Sequence, residues 1–93
     1  MNNPALENVK NLAFLSNESY KTAVNTVKKG KEKEQMSFNQ PLKNPATNSS
    51  FEVVAQVNDE ITGFSGTVFK DPVSGEYTIA FRGTKIGNGK ISA

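Results

Sequence analysis

The chain has 93 residues, of which 35% are hydrophobic, and its 11 basic and 9 acidic residues leave a net charge of +2. A chain of this length forms one small domain at most, and its hydrophobic fraction is below the roughly 45–50% of ordinary globular domains. So balanced a charge argues against nucleic-acid binding. The sequence contains no cysteine, which excludes a disulfide framework and a thiolate metal site.

No hydrophobic run approaches the ~18–20 residues of a membrane-spanning helix. The first residues, Met1–Pro4, lack the basic start and apolar stretch of a secretory signal. We therefore expect no transmembrane segment, and a protein that is either cytoplasmic or exported by a route that reads no N-terminal signal.

Residues 1–29 are predicted to form an N-terminal helical segment, with helix over 4–29. Pro4 suits the first helical position, where its missing N–H costs nothing. Ser16 or Asn17 offers an alternative, since either residue can cap a second helix. Gly30 suits the left-handed position just past a helix end. Apolar residues recur at helical spacing through both halves of the segment: Leu6, Val9, Ala13, Tyr20, Ala23, Val24 and Val27.

Residues 30–50 are predicted to be an irregular linker. The run Lys31-Glu32-Lys33-Glu34 is polar and has no periodicity. Pro41 and Pro45 remove backbone donors, and Asn48-Ser49-Ser50 adds turn-forming residues. We expect neither helix nor strand in this stretch.

Residues 51–84 are predicted to form an incomplete sheet of three strands, largely antiparallel, over 51–57, 64–70 and 76–82. The segment Asp71–Gly75 predicts a tight hairpin within 64–82, because Pro72 presets the first turn corner and Gly75 supplies a positive φ. Ile79-Ala80-Phe81 is apolar at consecutive positions, so both faces of the third strand require cover. We expect an exposed apolar sheet and self-association through it.

Residues 85–93 are predicted to be a flexible tail, since they show no periodicity. Acidic residues occur at the predicted turns without the spacing of a calcium loop: Asp59, Glu60, Asp71 and Glu76. We therefore expect no metal and no cofactor.

The stretch Gly63–Lys70, Gly-Phe-Ser-Gly-Thr-Val-Phe-Lys, is followed after the turn by Glu76–Thr84, Glu-Tyr-Thr-Ile-Ala-Phe-Arg-Gly-Thr. Together they resemble the strand and oxyanion loop of class 3 (fungal-type) lipases, and especially of bacterial members, which often carry Gly-Phe-Ser-Ala-Thr-x-Phe before the hairpin. The resemblance covers roughly 51–84 and is specific only over 63–84. It implies an α/β-hydrolase fold, of which this chain would hold the N-terminal part, and a full-length parent that acts on acyl esters or lipids.

The resemblance also implies roles for three residues. Thr84 would give its N–H and its hydroxyl to the oxyanion of the tetrahedral intermediate, where preorganised donors are needed. Gly83 would let the backbone bend without a Cβ clash, and Arg82 would order the loop through its several donors.

The chain departs from the family in lacking any His, a later Asp and a Gly-x-Ser-x-Gly nucleophile elbow. In addition, Gly87–Lys90 does not match the family's next segment. A Ser-His-Asp triad cannot be completed from these residues, so we expect the triad to lie beyond residue 93, in a gene that is truncated, split, frameshifted or incompletely read. By itself the chain should be inactive. The alternative is a small non-enzymatic interaction module that binds a partner through its helix face or by strand addition.

Overall fold

The computed structural model of this chain describes residues 4–82, 84–86 and 89–91. In order along the chain they form helix α1 (Pro4–Glu18) and eight strands. These are β1 (Thr22–Val24), β2 (Gln35–Ser37), β3 (Pro41–Lys43), β4 (Ser50–Asn58), β5 (Ser65–Lys70), β6 (Tyr77–Arg82), β7 (Thr84–Ile86) and β8 (Gly89–Ile91). The main sheet is antiparallel, in the order β3-β4-β5-β6, and smaller pairs are formed by β1 with β2 and by β7 with β8.

The central hairpin is observed where the sequence predicted it. Strands β5 and β6 pair in antiparallel fashion from Ser65 opposite Arg82 to Lys70 opposite Tyr77. In the turn, the Asp71 carboxylate accepts the Val73 N–H at 2.8 Å, and Gly75 has a φ of 78°. The carboxylate and the glycine thus fix the reversal, as expected for an Asp-Pro-x-Ser-Gly segment.

The predicted helix over 4–29 is wrong beyond residue 18. The Ser19 hydroxyl donates to the Ser16 carbonyl at 2.6 Å, and the Lys21 N–H turns back to the Glu18 carbonyl. The chain then enters β1, which pairs in parallel with β2. Side-chain spacing favoured a helix here, but the parallel pairing satisfies the backbone instead. Gly30 does take a positive φ, in a turn from Lys28 to Lys31 rather than at a helix end.

The prediction of an irregular 30–50 is also wrong, because β2 and β3 lie within it. Met36 in β2 is buried in the core, and Leu42 in β3 packs against that core. Pro41 begins β3 at the outer edge of the sheet, a place where a missing N–H is tolerated. Since β3 joins β4, the main sheet has four strands among the described residues rather than the predicted three.

Within 85–93, where no regular structure was predicted, the described residues take part in a short antiparallel pair, Thr84 lying opposite Ile91 and Ile86 opposite Gly89. That the segment is flexible stays a prediction. The predictions for residues 1–3, 83, 87, 88, 92 and 93 lie outside the described residues.

One face of the main sheet is covered, and the core lies there, between the sheet, helix α1 and β2. Val53 and Phe69 are completely buried and stand opposite each other on β4 and β5. The register shifts after Val53, where β4 contains a bulge, so that Ala55 lies opposite Val68. The buried apolar residues are Leu15, Met36, Phe51, Val53, Phe69 and Ala80.

Candidate functional site

Arg82 is the last residue of β6, and its guanidinium connects three parts of the chain. Nη1 donates to the Tyr20 carbonyl at 2.9 Å, and Nη2 lies 3.4 Å from Oδ1 of Asn58. The end of β6 is thereby held to the turn after α1 and to the end of β4. This is the ordering that an oxyanion loop following Arg82 would need.

The other two residues of the motif are described less fully. Gly83 lies outside the described residues, and so does the hydroxyl proposed for Thr84. The backbone of Thr84 begins β7 and lies opposite Ile91. The structure therefore places Thr84 directly after the anchored strand end, and its role in an oxyanion hole stays a prediction.

An open cleft of about 340 Å³ lies beside Arg82. Most of the residues that line it are polar or charged types, and the full set is Thr22, Asn58, Asp59, Glu60, Gly63, Phe64 and Arg82. Hydrogen bonds from the Ile61 N–H and from the Thr62 side chain lower the pKa of Asp59 below its ordinary value. The cleft thus contains carboxylates and a guanidinium, but no histidine or thiol, since the chain has neither.

Ser65 of β5 lies opposite Arg82 of β6, and it therefore carries the buried hydroxyl closest to the Arg82-Gly83-Thr84 motif along this strand pair. The side chain is fully buried, and its Oγ has no hydrogen-bond partner among the described residues. A serine becomes a nucleophile only beside a general base. Ser65 is therefore not a candidate nucleophile.

A second cleft, of about 300 Å³, lies between α1 and the β5–β6 turn. Asn8 and Asn11 of the helix face Asp71, Ser74 and Glu76 across it. No group of metal-ligating side chains occurs here or elsewhere in the part of the chain that the structure describes. We assign no chemistry to this cleft.

The sheet face opposite the core is exposed and apolar. Along β6, the side chains of Tyr77, Ile79 and Phe81 are 63%, 56% and 48% exposed. Val57 of β4, opposite Gly66, extends the same face and is 62% exposed. The Phe81 ring lies 5.6 Å from that of Phe64. This exposed face consists of Val57, Val68, Tyr77, Ile79 and Phe81.

Two polar networks were missed by the sequence reasoning. The Gln56 amide accepts the Ala23 N–H and donates to the Lys21 carbonyl and to the Thr67 hydroxyl, each at 2.9 Å. The Asn44 amide donates to Asn11 of the helix at 2.9 Å. Apart from the bond between Gln56 and Thr67, these hydrogen bonds join residues more than thirty positions apart, so no local sequence pattern indicates them.

The described part of the chain contains no helix with the length and apolar character that a membrane span requires. Comparisons with protein-family models, with curated proteins and with solved structures find no match to the chain. The resemblance to class 3 lipases therefore stays a prediction from the residues of 63–84.

Proposed function

We propose that residues 51–84 supply the opening sheet strands and the oxyanion loop of a class 3 lipase-like serine hydrolase, and so form part of a larger α/β fold. The observation that carries the proposal is the place of the Arg82-Gly83-Thr84 motif. Arg82 is the last residue of β6, the second strand of the hairpin, and it anchors the strand end to Tyr20 and Asn58, while Thr84 begins the next strand.

The exposed sheet face supports the same reading. In an α/β-hydrolase the strand that leads to the oxyanion loop lies within a larger sheet, and helices cover both faces. Here β6 pairs on one side only among the described strands, and Tyr77, Ile79 and Phe81 are open to solvent. Further strands and helices of the hydrolase would cover these residues.

The chemistry proposed for the chain's own residues is limited to charge stabilisation. The Thr84 N–H and hydroxyl would bind the oxyanion that forms when an acyl ester is attacked, and Arg82 would keep the loop in place. A serine nucleophile, a histidine base and an aspartate that orients the histidine would come from other sequence. The 93-residue chain alone should hydrolyse no ester.

The experiment that tests this proposal is to read the coding DNA after codon 93 in all three frames. A Gly-x-Ser-x-Gly elbow followed by an Asp and a His is expected. Its absence from every frame would overturn the proposal. A short-chain nitrophenyl ester assay with the purified chain checks the second part, and turnover above that of a Thr84→Pro control would contradict it.

The second candidate is a non-enzymatic interaction module. It is favoured by the exposed face together with a β6 edge that no described strand pairs with, which suit strand addition by a partner. Thermal unfolding separates the two candidates. A single cooperative transition of the purified chain favours a module that folds by itself, whereas an incomplete hydrolase sheet should unfold broadly and aggregate.

A further inference from the structure

The outer edge of β6 presents backbone groups at alternate residues. The Asp71 N–H donates to the Glu76 carbonyl at 2.9 Å. Since hydrogen-bonded and non-bonded pairs alternate along an antiparallel ladder, Thr78 and Ala80 also direct their N–H and C=O groups towards β5. The groups of the intervening residues then point away from the sheet: those of Tyr77, Ile79 and Phe81.

The neighbouring pair of strands gives the same alternation independently. The Asp59 N–H donates to the Phe64 carbonyl at 2.8 Å, so Gly66 and Val68 bond towards β4. The residue between them, Thr67, must therefore bond towards β6. Thr67 lies opposite Ala80, which agrees with the inward direction of Ala80.

The outward edge of β6 is complementary to itself. In an antiparallel register with Ile79 opposite its own copy, Tyr77 lies opposite the partner's Phe81, and Thr78 opposite the partner's Ala80. Each of the outward-pointing residues can then exchange both N–H···O bonds with the second strand. On the exposed face, the opposed residues are an aliphatic pair and aromatic pairs, which are favourable cross-strand combinations.

The charges agree with this register. One residue before β6, Glu76 would lie opposite the partner's Arg82 at two symmetry-related places, while the Arg82 guanidinium keeps its hydrogen bonds to Tyr20 and Asn58 of its own chain. Among the described residues, neither Glu76 nor Arg82 takes part in a salt bridge within the chain. A shift of two residues either way would keep the hydrogen bonding but would separate these charges and shorten the paired segment. Opposite charges across a strand pair fix register more than they add affinity.

We propose that two copies of this chain associate through β6, in an antiparallel pair whose two-fold axis passes between the two Ile79 residues. The main sheet then continues from one copy into the other. The proposal goes beyond the hydrolase function and does not rest on it. Strands added from further hydrolase sequence would compete for the same edge, so the dimer belongs to the chain of 93 residues.

Cysteine cross-linking tests the register, because the natural chain has no cysteine. Ile79→Cys places two thiols at the axis, where a hydrogen-bonded pair has its Cα atoms about 5.5 Å apart, within disulfide range. Tyr77→Cys is the matched control. Its exposure is similar, yet its two copies would be offset by four residues, or about 14 Å. Disulfide dimers are expected from Ile79→Cys and not from Tyr77→Cys. Equal cross-linking of both, or none from Ile79→Cys, would overturn the proposal.

Analytical ultracentrifugation distinguishes pairing through the β6 edge from stacking of the exposed sheet faces. The unmodified chain is expected to sediment as a dimer and Ile79→Lys as a monomer, since a lysine on an edge strand opposes pairing. Val57→Lys is the control, because Val57 is as exposed on the same face but lies in an inner strand. A dimer that Val57→Lys also dissociates would point to stacking of the exposed faces and would refute the edge pairing. A monomeric unmodified chain would refute it as well.

Discussion

Ser65 and Arg82 lie opposite each other on β5 and β6, and among the described residues only the Arg82 side chain makes hydrogen bonds. The Arg82 guanidinium reaches Tyr20 and Asn58, whereas the buried Ser65 hydroxyl has no partner among the described residues. The strand that leads to the proposed oxyanion loop therefore pairs with a strand whose buried, unbonded hydroxyl lowers the stability of the chain.

Replacing Ser65 with alanine should stabilise the chain. An unsatisfied buried hydroxyl costs about 1–3 kcal/mol, and alanine removes it while leaving little empty space. Thr67→Val is the control, because Thr67 is equally buried and its hydroxyl accepts a hydrogen bond from Gln56. Chemical denaturation should show a higher free energy of unfolding for Ser65→Ala and a lower one for Thr67→Val. A loss of stability in Ser65→Ala would mean that its hydroxyl has a partner.

The hairpin turn depends on the positive φ of Gly75. No atom lies within 4 Å of a Cβ built there, so any cost of Gly75→Ala comes from the backbone alone. That cost is about 1–2 kcal/mol for a non-glycine residue in the left-handed region. Gly75→Asn should cost less, because asparagine tolerates this conformation. The two substitutions, compared by thermal denaturation, should rank in that order, and equal stabilities would contradict the turn geometry.

Because of Asp59, the free energy of unfolding should fall as the pH is lowered. Its pKa is lowered in the folded chain, chiefly by the hydrogen bond from the Ile61 N–H. A lowered pKa contributes stability above the unfolded-state pKa, and that contribution is lost as the pH falls through the folded-state pKa. Asp59→Asn keeps an acceptor but cannot titrate, so its stability should fall less on acidification. A carboxyl titration by NMR with a midpoint at or above the ordinary aspartate value would refute this.

Thr84 can be tested in a hydrolase completed by fusing the missing catalytic sequence after this region. Thr84→Val keeps the backbone N–H and removes the hydroxyl, and the loss of one oxyanion donor costs roughly 100- to 1000-fold in kcat. The loss should fall mainly on kcat, because the oxyanion exists only near the transition state. Ser65→Ala serves as the control and should leave kcat unchanged. If Thr84→Val stays within a few-fold of the parent, Arg82-Gly83-Thr84 is an ordinary turn.

The sequence was sufficient to locate β4, β5 and β6 to within a residue or two. Their β-branched and aromatic residues form runs, and the Asp71–Gly75 turn between two of them has an unambiguous local signature. The N-terminal half was different. Strands β1, β2 and β3 contain three residues each, too few for a period to show. Met36 is the single apolar residue of its strand, and its burial depends on pairing with β1, which no local pattern encodes.

The candidate site likewise has one part that the sequence predicts and one part that it does not. Arg82 at a strand end was predictable from the motif. Its acceptors were not, since Tyr20 lies 62 residues away along the chain, within a stretch whose residue spacing predicts a helix. Contacts of this kind arise from the tertiary arrangement, which overrides local propensity.

The bulge in β4 gives the strand two halves that are out of phase with each other. Before it, odd-numbered residues such as Val53 point to the core, and after it the even-numbered Gln56 does so. The bulge is therefore what brings the Gln56 amide to the core side of the sheet. A β4 of the same length without the bulge would alternate simply and turn Val57 inward in place of Gln56. The Ala23 N–H and the Lys21 carbonyl would then lose the amide that links β1 to the sheet, so one local irregularity in β4 holds a distant part of the chain in place.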